Sequence, residues 1–297
     1  MRIMDRCRSL RAGALGVAAI MMVLLVPAVW AGGSAESAPA TPETAPESTE
    51  SATEATESAP DAQAQTLPGE QMVLATNAWT AAFARVAGAQ NIELLAPYEM
   101  RHPAEYELRA TDLQRVEQAD LVVYAGYEGM IDRLQNVLGS ANVNSVQITT
   151  THTPQVITES VMRIATQLGT EETARANLAE IEAFFEDWSA ELASHGLQQG
   201  AVITHAFQAQ MLGALGVEPV GRYGPGPLEA QQIGALSGAG ATLIIDNWHN
   251  EVGTPFRETL PDALYVSWIN FPGHAGTRTL LDVFSYNRAQ LNKELSD

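Results

Sequence analysis

The chain has 297 residues, and its 35 acidic side chains outnumber its 16 basic ones to give a formal net charge of −19. This acidic balance argues against nucleic-acid binding, which needs basic patches to neutralise phosphates. The single cysteine, Cys7, precedes a long apolar run, so the sequence beyond that run offers no disulfide and no thiolate metal ligand.

The first 31 residues are predicted to be a secretory signal. Arginines from Arg2 to Arg11 precede an apolar run that reaches Trp30, and Val29 and Ala31 supply the small residues expected before a cleavage site. We therefore expect export to a periplasmic or other extracytoplasmic location. An uncleaved membrane anchor is the alternative, because the apolar run approaches the length that spans a bilayer.

Residues 32–70 are predicted to form a disordered acidic tether. The stretch is almost entirely Ala, Glu, Ser, Thr and Pro, and it contains no histidine. Such a segment cannot bury enough apolar surface to offset its chain entropy. We expect it to hold the folded part away from a membrane or wall.

The next segment, residues 71–150, is predicted to be an N-terminal α/β lobe. Apolar runs at 72–75, 92–95 and 121–124 indicate strands, and residues 78–87 and 111–118 between them indicate helices. The run LVVY at 121–124 is apolar throughout, which is typical of a parallel strand covered on both faces.

Residues 151–195 are predicted to be one long connecting helix. Apolar residues recur at helical spacing between 154 and 193, and Gly169 is the one glycine in that stretch. A bend is expected near Gly169, where residues 170–172 could restart the helix.

The last segment, residues 196–297, is predicted to be a C-terminal α/β lobe. Apolar runs at 201–203, 242–245 and 264–268 indicate strands, and the expected helices are 206–215, 227–237, 256–260 and 280–295. The predicted fold class is therefore α/β, with two Rossmann-like lobes of mostly parallel sheets joined by one long helix. Ligands of open α/β sheets bind beyond the carboxyl ends of the strands, so we expect a site in the cleft between the lobes.

A family resemblance rests on three stretches of the folded part. HPAEYELRATDLQRVEQADLVVYAG (residues 102–126) is similar to the pattern P-H-x-Y-E-x-x-P-S-D, a helix and A-D-L-V-x-x-x-G in the zinc- and manganese-binding receptors of ABC importers. VITHAFQAQMLGALGV (residues 202–217) resembles that family's T-H-x-A-F-x-Y-x-x-x-x-Y-G-L. Asn287, in the closing helix, is the third point of similarity.

The resemblance implies four metal ligands, two from each lobe, and this chain departs from that pattern at two positions. Ala104 stands at the place of the first ligand, where the neighbouring His102 or Glu105 could substitute, and Asn270 stands at the place of the aspartate. His205 matches the third ligand, and His152 is the one histidine near the place of the second. The remaining candidates, which lie near the expected cleft, are His102, His249 and His274.

The resemblance implies a binding protein rather than an enzyme, and G-x-S-x-G, phosphate-loop and H-E-x-x-H motifs are absent from the sequence. We expect a monomer that binds a divalent metal ion and delivers it to a membrane permease. A histidine-rich site without thiols favours Zn²⁺, with Mn²⁺ or another divalent ion possible.

Two alternative functions are compatible with the same fold. The first is a receptor for a chelated metal or an organic ligand of the siderophore or corrinoid type, which the replacements at Ala104 and Asn270 would permit. The second is a metal chaperone or adhesin without a transport role.

Overall fold

The computed structural model of the protein describes residues 67–199 and 201–296. The predicted signal, and the predicted tether as far as residue 66, lie outside the described residues. The described chain starts in a turn in which the Gly69 carbonyl accepts a hydrogen bond from the Gln90 backbone at 2.9 Å. None of the helices described there combines the length and the apolar composition that crossing a membrane requires.

The first lobe is built on a parallel sheet of four strands in the order β2-β1-β3-β4. Its strands are β1 Met72–Ala75, β2 Asn91–Leu94, β3 Leu121–Tyr124 and β4 Ser145–Gln147. Its helices are α1 Ala78–Val86, α2 Ala110–Gln118 and α3 Ile131–Ala141, with a 3-10 turn at Pro103–Glu105. Every residue of β3 is buried, as its uninterrupted apolar sequence predicts.

The second lobe repeats this plan with four parallel strands in the order β6-β5-β7-β8. Its strands are β5 Val202–His205, β6 Gly221–Tyr223, β7 Leu243–Asn247 and β8 Leu264–Trp268. Its helices are α6 Ala209–Ala214, α7 Ala230–Ser237, α8 Phe256–Thr259 and α9 Leu280–Ser296, with a 3-10 turn at Trp248–Asn250. The predicted class, two α/β lobes with parallel sheets, is confirmed.

The connection between the lobes differs from the single helix predicted over 151–195. It consists of α4, Pro154–Leu168, and α5, Glu171–Ser194. Gly169 separates them in the left-handed region at φ 68°, where glycine ends a helix at little steric cost. The Gly169 break and the restart at Glu171 lie where the sequence predicts a bend.

The helix α5 joins the cores of both lobes. Leu178, Ile181, Phe185 and Trp188 lie on its buried face, and they belong to one apolar cluster that includes Val73 of β1 together with Val202 of β5. Because the cluster is continuous, the cleft lies between lobes that share a core.

Candidate functional site

In each sheet successive strands are added first on one side and then on the other, and the point where the order reverses is the topological switch point. It lies between β1 and β3 in the first lobe and between β5 and β7 in the second. In open α/β sheets the crevice for ligands lies outside the carboxyl ends of such strands. The polar segments that follow these strands are therefore the starting point for a site.

The first switch point holds a buried carboxylate, Glu128, which is 1% exposed. Its oxygens accept hydrogen bonds from Thr76 Oγ1 at 2.6 Å, from Asn77 Nδ2 at 3.3 Å, and from the backbone N–H groups of Ala125 and Gly126. Asn77 also caps α1. This network fixes the start of α1, which positions Trp79 at the cleft.

Aromatic rings cross the cleft from Trp79. Its ring stacks on Phe271 of the second lobe with a centroid distance of 5.3 Å, and Phe271 stacks on His249 at 3.7 Å. Trp248 contacts His249 at 5.0 Å and His274 at 4.0 Å. We call Trp79, Phe271, His249, Trp248 and His274 the cleft row, and its rings connect the two lobes.

Arg101 reaches across the cleft from the first lobe to this row. Its guanidinium carbon lies 4.5 Å from the Trp248 ring centroid, and its Nη2 donates a hydrogen bond to the Trp248 carbonyl. The same nitrogen lies 3.5 Å from the Glu251 carboxylate. The guanidinium thus contacts an aromatic face, a carbonyl and a carboxylate of the second lobe.

Two of the predicted ligands, His249 and His274, belong to this row, and a third, His102, is next to Arg101 in sequence. Burial is the main cause that lowers the pKa of His249 to about 3, and the neighbouring basic groups, Arg101 among them, lower it further. Burial, followed by Arg101, also lowers the pKa of His274. Both imidazoles are therefore neutral at pH 7, as metal ligation requires.

Hydrogen bonds fix the proton positions of His249. The Asn270 backbone N–H donates to His249 Nδ1 at 3.2 Å, so the proton of the neutral ring is on Nε2. His274 Nε2 lies 3.2 Å from the Tyr286 hydroxyl, and either atom can donate. His102 is exposed and precedes the 3-10 turn at Pro103.

His152 lies in a different environment from these three. Its Nε2 accepts a hydrogen bond from Trp79 Nε1 at 3.0 Å, and its ring packs edge-on against Phe284 at 5.1 Å. Burial lowers its pKa to about 3. The rings of Trp79 and Phe271 lie between His152 and His249.

His205 is fully buried at the end of β5. Its Nδ1 accepts a hydrogen bond from the Phe207 backbone at 3.1 Å, so Nε2 carries the proton and donates to Asn250 Oδ1 at 3.0 Å. Burial lowers the pKa of His205, although the Asn250 hydrogen bond and the charge of Asp246 oppose that shift. Both ring nitrogens are engaged within the second lobe.

Ala104 and Asn270, the two departures from the family pattern, are both held in place by neighbouring groups. The Ala104 carbonyl accepts a hydrogen bond from the Gly129 backbone at 2.8 Å. Asn270 Oδ1 accepts hydrogen bonds from Gln208 Nε2 and Asn247 Nδ2, each at 2.7 Å. These two donors satisfy the oxygen that would otherwise face a cation.

Within residues 67–199 and 201–296, no three His, Cys, Asp or Glu side chains are placed to share one metal ion as the protein stands. The structure brings His249 and His274 to the Trp248 ring, and His152 contacts the opposite end of the same row through Trp79. The side chain of His205 is hydrogen-bonded within the second lobe. The sequence interpretation missed Arg101 and Glu251 beside the cleft row. Arg101 stands next to the predicted ligand His102 in the sequence. A single arginine in a polar loop, however, does not predict a contact with the other lobe.

Comparisons with known proteins support the fold. No protein-family model matches the chain, and no curated protein matches it in sequence. Solved structures do match. One is the laminin-binding protein Lmb of Streptococcus agalactiae, described as bifunctional with adhesin and metal transporting activity, at 14% identity and a TM-score of 0.61. The match covers 76% of this chain and 99% of Lmb.

Two further structures were solved with metals. The SBP FpvC of Pseudomonas aeruginosa, in complex with Mn²⁺, is 16% identical with a TM-score of 0.60, and the match covers 76% of this chain and 99% of FpvC. Zn(II)-bound AdcA of Streptococcus pneumoniae is 17% identical with a TM-score of 0.53 over 77% of this chain and 58% of AdcA. The chain therefore has the two-lobed α/β fold of metal-binding solute-binding proteins, as the sequence resemblance implies.

Proposed function

We propose that this chain is the extracytoplasmic solute-binding protein of an ABC importer. In this proposal it binds a divalent transition-metal ion in the cleft and, as a monomer, delivers it to a membrane permease. The observation that carries the proposal is the position of His249 and His274, which contact the same Trp248 ring at the cleft of this fold.

Zn²⁺ is the ion that these residues favour. Imidazole suits zinc, whereas a manganese site is usually richer in carboxylate and carbonyl oxygens. Burial keeps His249 and His274 neutral, so a proton does not compete with the ion at pH 7. Because the ring nitrogen of His249 that faces away from Asn270 carries a proton, binding there requires a change of tautomer.

Calorimetric titration of the purified, metal-stripped protein with Zn²⁺ and with Mn²⁺ tests this proposal. We expect one Zn²⁺ per chain, with affinity reduced about tenfold or more in His249→Ala and His274→Ala. His195→Ala, an exposed site at the end of α5, is the matched control and should bind as wild type does. Absence of heat and of thermal stabilisation with any divalent ion would refute the metal-ion proposal.

A second candidate is a receptor for a chelated metal or an organic ligand. Hydrogen bonds within the chain use the free lone pairs of His152, His205 and His249, and the guanidinium of Arg101 lies on the Trp248 ring at the cleft. Such a face offers stacking surfaces and hydrogen-bond donors, which suit a ligand that carries its own oxygen atoms around the metal.

Native mass spectrometry of the protein purified without chelators distinguishes the two candidates. A mass increment of one zinc ion supports the first. An increment of several hundred daltons that is lost on denaturation supports the second and contradicts the first.

A further inference from the structure

Arg101 occupies a position that the charge distribution of the cleft makes suitable for a cation. The Trp248 ring face, the Trp248 carbonyl oxygen and the Glu251 carboxylate all attract positive charge, and the guanidinium contacts all three. These groups belong to the second lobe, whereas Arg101 belongs to the first. The contact therefore places a fixed positive charge of one lobe against an electronegative pocket of the other.

This position adjoins the histidines proposed as ligands. The Trp248 ring that carries the guanidinium also contacts His274 at 4.0 Å and His249 at 5.0 Å. The guanidinium and the two imidazoles thus contact the same ring. Like-charge repulsion would act between this guanidinium and a metal ion bound by the two histidines.

Glu251 is the carboxylate that pairs with Arg101 at this face. Its Oε2 lies 3.5 Å from Arg101, and its Oε1 accepts a hydrogen bond from Ser267 Oγ at 3.4 Å. Because Arg101 lies over Trp248 and Trp248 contacts His274, this ion pair lies beside the cleft row. In the ligand-free protein the partner of the Glu251 carboxylate is thus the guanidinium.

Resting on the proposed function, we propose that Arg101 fills the position of the metal ion in the ligand-free cleft and holds Glu251, a carboxylate ligand of the bound ion. A bare divalent ion binds by displacing the guanidinium, and Glu251 then passes from Arg101 to the metal. Arg101 therefore sets the affinity and the selectivity of the cleft for bare ions, while Glu251 supplies the carboxylate that Asn270 does not.

Titration of the metal-stripped full chain with Zn²⁺ alone tests this assignment in wild type, Arg101→Gln, Glu251→Gln and the double variant. Glutamine keeps an N–H donor for the Trp248 carbonyl and removes the charge. We expect R101Q to bind Zn²⁺ about tenfold or more tightly than wild type, because like-charge repulsion is lost. E251Q should weaken binding, and E251Q in the R101Q background should abolish the gain.

Arg278 and Glu99 provide matched controls on the same cleft. Arg278 of the second lobe lies over the Tyr98 ring of the first at 4.2 Å and 3.8 Å from Glu99, so it too bridges the lobes through a cation–π contact and an ion pair. R278Q and Glu99→Gln should leave Zn²⁺ affinity within about twofold of wild type. Circular dichroism spectra confirm that each variant is folded.

The outcomes separate this inference from the proposed function. Zn²⁺ binding that is equal or weaker in R101Q than in wild type overturns the role of Arg101 while the receptor proposal stands. A gain in R278Q as large as that in R101Q also overturns it, because the effect would then come from loosening the lobes. Failure of every variant, R101Q included, to bind Zn²⁺ overturns both proposals.

Discussion

Hydrogen bonds to single imidazole nitrogens determine what the cleft can bind. An N–H group that donates to one ring nitrogen uses the lone pair of that nitrogen, and the proton of the neutral ring then lies on the other. Backbone donors do this at His205 and His249, and an indole donor does it at His152. Of the five histidines predicted as ligands, His102 and His274 therefore need the least rearrangement to ligate.

Burial of His152 predicts a pH-dependent stability. Its pKa is about 3 in the folded protein and about 6.5 when unfolded. Below pH 6.5 the unfolded chain binds the proton and the folded protein does not, so stability falls as pH falls from 6.5 towards 3. We expect His152→Phe, which keeps a buried ring, to remove this loss, worth about 1.4 kcal/mol per pH unit in that window.

Urea unfolding at several pH values between 7.5 and 4.5 measures the effect. At pH 7.5 the variant should be about 1–3 kcal/mol less stable, because Trp79 Nε1 loses its acceptor. The difference in the free energy of unfolding between wild type and His152→Phe should shrink and then reverse as pH falls. Trp79→Phe is the control, and it should retain the pH dependence because burial, not the hydrogen bond, lowers the pKa. A constant difference between wild type and His152→Phe would show that the histidine is protonated in the folded state.

The site could be predicted from sequence only in part, for reasons visible at the same residues. Position after a strand is a local property, and it predicts that His249 lies at the cleft. The ring that faces His249, Phe271, and the charge beside it, Arg101, come from separate segments. Which tautomer a histidine adopts depends on such neighbours, so no sequence pattern predicts it.

Among the elements, strands of four or five residues were predictable and the two three-residue edge strands were not. The central strands β1, β3, β5 and β7 are almost wholly buried and contain apolar runs, and each was predicted. The edge strands β4 and β6 have three residues each and were missed, because SVQ and GRY carry too few apolar residues to indicate a strand. Helix α3 was missed although Ile131, Leu134 and Leu138 follow helical spacing.

The junction between α1 and α5 depends on glycines whose roles differ. Gly88 has φ 94°, and a Cβ there would lie 3.1 Å from Thr170 Cβ and 3.2 Å from Thr173 Cγ2. Gly169 has φ 68° with its nearest neighbour, Pro68 Cβ, at 3.9 Å. Substitution of Gly169 thus adds backbone strain alone, whereas substitution of Gly88 adds strain and a steric clash.

We expect Gly169→Ala to lower the free energy of unfolding by about 1–2 kcal/mol, the cost of a side chain in the left-handed region. Gly88→Ala should lower it by about 1–3 kcal/mol more, because overpacking is added to the strain. Chemical denaturation of both variants at pH 7.5 compares them directly. An equal or smaller loss in Gly88→Ala would contradict the packing of α1 against the start of α5.

At the scale of the whole molecule, α5 packs into the cores of both lobes. Near its start, Asn177 Nδ2 donates to the Val86 carbonyl of the first lobe at 3.0 Å. Near its end, Trp188 is fully buried and packs on Trp268 of β8 with a centroid distance of 5.3 Å. One helix is thus anchored in both cores, and this favours small changes at the cleft over a wide hinge motion.

Trp188→Ala tests whether the core that the two lobes share also makes them unfold together. Removing a buried indole should lower the free energy of unfolding by about 3–5 kcal/mol, and Trp188→Phe should cost less because a ring still fills the site. If the lobes unfold together, hydrogen-exchange protection should fall equally in β1 and β3 of the first lobe and in β5 and β7 of the second. Loss of protection confined to the second lobe would mean that α5 links two independent units, and the cleft could then open widely. Equal loss would mean that the two lobes unfold as one unit, and a wide opening of the cleft would then cost the packing that they share.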